Sequence, residues 1–123
     1  MYDANETQTE IRVESGRGGL VLARVAGEVD MVAVPALRRC IDAKLRVARS
    51  LVLDLTATRY FGAAGISALL RTDELAAALD VPWALAGSRA VRRPLLVTGL
   101  ADHLPLHDTV DDAVAAVGLL TPA

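Results

Sequence analysis

The chain has 123 residues, is 53% hydrophobic but only 3% aromatic, and carries a formal net charge of −2. That length predicts one domain whose core is built from Leu, Val and Ala, without need of a metal or disulfide staple. The charge makes no general case for nucleic-acid binding, the apolar stretches fall short of the roughly 20 residues a membrane span needs, and the single Cys40 excludes an intrachain disulfide.

In chain order, residues 1–8 are expected to form a disordered tail. The polar, acidic run Met1–Thr7 is unlike a signal peptide, so a cytoplasmic protein is expected. Thr9 to Glu14 alternates around Ile11 and Val13 as a strand does, and Ser15-Gly16-Arg17-Gly18-Gly19 supplies glycines for a tight reversal. Leu20 to Ala26 gives a second strand ending at Gly27, antiparallel to the first. A helix follows Asp30, which can accept first-turn amide hydrogens, with Pro35 tolerated near its start. Val34, Leu37, Ile41 and Leu45 make its buried stripe. Cys40, beside that stripe, reads as a small half-buried hydrophobe rather than a reactive thiol.

Ser50 to Leu55 is almost continuously apolar and suits a central strand covered on both faces. From Gly65 a helix is expected to run to about Leu79, with Ile66, Leu69 and Leu70 inward and Arg71, Asp73 and Glu74 on the wetter side. Val81 to Ala86 follows as a strand, with Trp83 in the core or lining a groove. Ser88 could cap a helix containing Val91 and Leu95, but Pro94 inside it costs about 3 kcal/mol. The preferred reading is therefore a loose turn over 88–92 and a short helix from near Pro94, stopped by Gly99. Leu104 to Leu106 is a last brief strand. Thr109 and Asp112 fit a capping box for a helix lined by Val110, Ala113, Val114 and Val117 and ended by Gly118. The order ββαβαβαβα predicts a layered α/β domain over 9–119, with a mostly parallel sheet, an antiparallel edge strand and a tail at 120–123.

Reactive chemistry is hard to place. His103 and His107 are four apart, but the intervening Leu104-Pro105-Leu106 favours extended chain, so even with Asp102 and Asp108 no metal site is expected. Gly16-Arg17-Gly18-Gly19 lies in a hairpin and lacks the helix start of a phosphate loop. Ser15, Ser50, Ser67 and Ser88 have no histidine with a carboxylate behind it. Asp30 and Asp54, at strand ends, could act as acidic partners, cap a helix or orient a loop. The basic residues Arg38, Arg39, Lys44, Arg46, Arg49 and Arg59, against Asp42 and Asp54, read as solubilising charge. No enzyme and no cofactor is expected. Gly62-Ala63-Ala64-Gly65, between the central strand and its helix, offers only small side chains and backbone. An anion or a protein partner could approach that helix start closely, or the segment is simply a tight turn.

Gly27-Glu28-Val29-Asp30, Leu51-Val52-Leu53-Asp54-Leu55, Gly65-Ile66-Ser67-Ala68-Leu69-Leu70, Leu95-Leu96-Val97-Thr98-Gly99-Leu100 and Asp108-Thr109-Val110-Asp111-Asp112-Ala113 together resemble a STAS domain of the bacterial anti-sigma factor antagonist group, over about residues 9–119. The resemblance implies a SpoIIAA-like α/β fold and a protein-binding switch. In that family the unphosphorylated domain binds an anti-sigma factor, often a serine kinase, and phosphorylation of the second serine in Asp-Ser-Ser-Gly breaks the complex by adding charge and bulk. Those positions align with Gly62, Ala63 and Ala64, so the usual phosphoserine position is Ala64, which has no oxygen to modify. Thr56, Thr58 and Ser67 lie nearby without replacing it.

The resemblance thus implies partner binding through Glu28, Asp30, Thr58, Gly62, Ala63, Ala64, Gly65 and Ser67, to an anti-sigma factor or serine-kinase-like regulator, without control at the usual serine. A homodimer is a further candidate association. The alternative is a STAS scaffold or ligand-sensing subunit of another signalling or transport assembly.

Overall fold

The computed structural model describes residues 9–120. The tail expected at residues 1–8 lies outside them, as do residues 121–123. Six strands among the described residues form one sheet: β1 (Thr9–Ser15), β2 (Leu20–Val29), β3 (Ser50–Leu55), β4 (Thr58–Phe61), β5 (Trp83–Gly87) and β6 (Leu106–His107). Their order is β1-β2-β3-β5-β6, with β4 also paired to β2. Only β1 is antiparallel to its neighbour, running from Thr9 opposite Gly27 to Ser15 opposite Val21. The reversal between these strands uses Gly18 and Gly19 at φ 68° and 81°, where a β-carbon would be strained. The expected hairpin and mixed sheet are thus present.

Helices α1 (Val34–Leu45), α2 (Ala63–Leu79) and α3 (Arg89–Val97) pack on one face, and α4 (Val110–Leu120) on the other. Alternation along the strands divides the core accordingly. Val21, Ala23, Val25, Leu51, Leu53, Leu55 and Leu85 join the α1 stripe of Val34, Leu37, Ile41 and Leu45. Val52 and Ala84 face Ala113 and Val117 of α4. Every residue of β3 is buried, in keeping with a central parallel strand. Trp83 is buried, and its indole N–H donates to Asp73 Oδ1 at 2.9 Å.

Several expectations are corrected. β2 does not stop at Gly27; it continues to Val29 because β4 gives its last residues a second parallel partner, through a register shift between Gly27 and Glu28. β4 is a strand that the order ββαβαβαβα does not include. It follows β3 after only Thr56 and Ala57, and the two strands share one edge of β2 in succession. Helix α2 begins at Ala63, two residues before Gly65, and Leu70 is exposed while Ala68, Thr72 and Ala76 complete the inward face with Leu69.

Helix α3 starts at Arg89 and contains Pro94, in place of a loose turn. Val91 and Leu95 are both fully buried on its inner face. At about 1.5–3 kcal/mol for each side chain, their burial offsets the roughly 3 kcal/mol cost of an interior proline. The penultimate strand is β5 at Trp83–Gly87, and β6 falls at Leu106–His107 rather than Leu104–Leu106, with Leu104 serving as a core side chain. Thr109 caps α4, its hydroxyl accepting the Asp112 amide at 3.0 Å. Gly118 does not end that helix, which continues to Leu120.

Candidate protein-binding corner

All the parallel strands point their carboxyl ends the same way, so the β2–α1 turn, the β4–α2 junction and the β5–α3 junction meet at one end of the sheet. In α/β domains that end is the usual place for binding, because the turns there are free to vary. Here the corner is tied together by backbone. Gly62 N–H donates to Val29 O at 3.2 Å, joining the β4–α2 junction to the end of β2. Ser88 N–H donates to Leu55 O at 3.1 Å and its hydroxyl to Thr58 O at 2.5 Å, joining β5–α3 to β3 and β4.

Asp30 shapes the β2–α1 turn. Its Oδ1 accepts the amides of Val32 and Ala33 at 3.1 and 3.0 Å, and its carbonyl accepts that of Val34 at 3.1 Å. The turn so formed lifts Met31 and Val32 into solvent, each 79% exposed. Sequence reasoning passed over both. Their signal was present, since two large apolar residues immediately after the capping Asp30 fall outside the stripe that begins at Val34. Glu28 is half-buried on β2.

Gly62 is the residue before α2, in extended conformation (φ −90°, ψ −176°), and it contributes no side-chain cap to the first-turn amides. Ala63 is exposed, Gly62 and Ala64 are half-buried, and Gly65 is buried. Gly65 has a packing role: a β-carbon there would stand 2.7 Å from the ring of Phe61. Ala64 and Ser67, one turn apart on α2, line a cavity of about 530 Å³ between α1 and α2, together with Val34, Arg38, Leu70 and Arg71. Arg71 also bridges the two helices by an ion pair to Asp42 at 3.2 Å.

The structure brings Glu28, Asp30, Gly62, Ala63, Ala64 and Ser67 to this end of the molecule. Thr58 is different. It is 2% exposed and its hydroxyl donates to Val25 O at 2.9 Å, so its side chain supports the corner from beneath. Asp54 is likewise structural, its Oδ1 accepting the amide and hydroxyl of Thr56 at 2.9 and 2.6 Å to set the turn between β3 and β4. Cys40 is half-buried and free. Among the described residues no group of three or more His, Cys, Asp or Glu side chains could hold a metal, and no helix is long and apolar enough to cross a membrane.

With a glycine-alanine corner over a mixed sheet of this topology, comparison with known proteins becomes decisive. The STAS domain model matches residues 12–113. The chain belongs to the STAS family. Within it, this STAS domain is similar to a crystal structure of an anti-sigma factor antagonist from Mycobacterium paratuberculosis, with 33% identity, a TM-score of 0.79, and coverage of 91% of this chain and 96% of that one. It is 28% identical over 100 residues to the anti-sigma-F factor antagonist RsfB of Mycobacterium tuberculosis, covering 80% of this chain and 82% of the relative. The anti-sigma factor antagonist SpoIIAA in its unphosphorylated form shares the fold, with a TM-score of 0.74 at 19% identity over 88% of this chain and 96% of that one. The domain is therefore of the SpoIIAA-like, anti-sigma factor antagonist type, a regulatory and non-catalytic family.

Proposed function

We propose that this STAS domain is an anti-sigma factor antagonist of the cytoplasm that binds an anti-sigma factor or serine-kinase-like regulator at the corner formed by Asp30–Ala33, Gly62–Ala64 and the outer face of α2. The observation that carries this reading is the exposure of Met31 and Val32, both 79%, in a turn whose preceding strand end is tied to the start of α2 by the Gly62 N–H to Val29 O bond of 3.2 Å. Two projecting apolar side chains beside a shallow backbone surface are costly to leave in water and suit a partner that buries them. Glu28, Ser67, Arg38 and Arg71 supply a polar rim around them.

Binding at this corner is not controlled at the usual serine position, because Ala64 offers no phosphoryl acceptor. SpoIIAA has been described in phosphorylated and unphosphorylated forms; in this chain Ala64 cannot take on a phosphoryl charge. Titration calorimetry with the anti-sigma factors of the organism that makes this protein tests the reading. A saturable complex is expected, weakened at least tenfold by Met31→Asp with Val32→Asp, which corresponds to about 1.4 kcal/mol or more. Failure of every such anti-sigma factor to bind, or indifference of the affinity to the double substitution, would refute it.

A further inference from the structure

A second concavity, of about 580 Å³, lies between β4 and α3 and is lined by Arg59, Tyr60, Phe61, Arg89, Arg93 and Val97. Arg59 projects from the strand, while Arg89 and Arg93 stand one turn apart on the helix, and all three are exposed. No Asp or Glu lines the cavity. Among the described residues these three guanidinium groups form no ion pair, whereas Arg92, between them on α3, is held by Asp108 at 2.9 Å, and Arg24 and Arg71 also have carboxylate partners. The groove is apolar as well as cationic. Tyr60 is 53% exposed and Val97 79%, at either side of it.

We propose that this groove docks an acidic peptide segment of another protein, one that carries an aliphatic or aromatic side chain among its carboxylates. Three uncompensated arginines around one concavity repel each other until carboxylates enter, and guanidinium forks hold carboxylates with two parallel hydrogen bonds. Tyr60 and Val97 then cover the apolar side chain. The groove lies between β4 and α3, whereas Met31 and Val32 stand in the β2–α1 turn; the two surfaces adjoin at Gly62, where a β-carbon would stand 3.0 Å from the Tyr60 hydroxyl.

The test is a nuclear magnetic resonance titration of the full chain with a synthetic peptide of Asp and Glu residues flanking Leu and Phe, beside a control peptide with Asn and Gln in place of the acids. Saturable shifts confined to residues 59–61 and 89–97 are expected from the acidic peptide alone. Its affinity should fall at least tenfold in Arg89→Gln with Arg93→Gln, and should weaken as salt screens the charges. Val97→Asp should weaken it while leaving the arginines in place. The proposal is overturned by absence of saturable shifts, or by an equal response to the control peptide. It is also overturned if Asp3→Asn with Glu6→Gln moves the groove signals in the absence of peptide, which would make the occupant this chain's own amino-terminal residues. Groove shifts that track protein concentration would instead make it a second copy.

Discussion

Ala63 is the first residue of α2 and ends in solvent at its β-carbon, beside backbone amides that no side chain caps. Two effects therefore separate at this residue. Ala63→Asp places a carboxylate at the positive end of the helix and is expected to raise stability by about 0.3–1 kcal/mol in urea denaturation. The same charge, set beside the exposed apolar side chains of Met31 and Val32, is expected to weaken partner binding in calorimetry. A fall in both stability and affinity would mean that Ala63 packs against its own chain. Gly65 answers to packing alone. Gly65→Ala gains helix propensity of up to about 1 kcal/mol, but its methyl meets the buried Phe61 ring, where overpacking costs about 1–3 kcal/mol. The expected net result is a lower urea midpoint.

At the scale of elements, the deciding features are β4 and α3. Pro94→Ala restores an amide in the interior of α3 and removes the proline ring from the helix, against the loss of a stiff residue from the unfolded chain worth about 0.4–1 kcal/mol. A net stabilisation of about 2 kcal/mol or more is expected by denaturant unfolding, and a loss of stability would show that Pro94 is required where it stands in α3. The same elements mark where sequence reading ran out. The apolar stripe of α1, the continuous apolar run of β3 and the Thr109 cap of α4 each carry a local signature that survives folding. β4 does not, because four residues so soon after β3 look like the rest of a turn; only its pairing with Gly27–Val29, more than 25 residues earlier, makes it a strand. α3 was obscured by Pro94 because the propensity rule sees the proline and not the burial of Val91 and Leu95. In the corner, the small side chains of 62–65 are legible in the sequence, but the packing of Gly65 against the buried Phe61 ring is not. Thr58 is misleading in sequence, since its burial beside β2 depends on that same long-range pairing, whereas Met31 and Val32 carry a local signal as large apolar residues outside the stripe that begins at Val34.

Across the whole molecule, the sheet is covered unequally. Helices α1 to α3 cover one face, while α4 covers the β3–β5–β6 side of the other, with Leu20 and Leu22 of β2 packed at its edge. The remaining part, on β1 and β2, bears a paired charge ladder in which Arg24 meets Glu14 at 2.8 Å and Asp54 at 3.6 Å, and Arg12 meets Glu10 at 3.4 Å. Charges matched within the face leave little for a partner to neutralise, and the exposed pairs Arg24–Glu14 and Arg12–Glu10 contribute about 1 kcal/mol or less each. The corner at Asp30–Ala33 is different in kind: its apolar side chains, Met31 and Val32, have no cover within the described chain. Amide-resonance mapping of the complex with an anti-sigma factor tests that distinction most directly. Perturbation is expected at residues 30–33, 62–64 and the outer positions of α2, with β1 and α4 unaffected. A footprint centred on the β1–β2 charge ladder or on α4, leaving Met31, Val32 and Ala63 unchanged, would contradict the account.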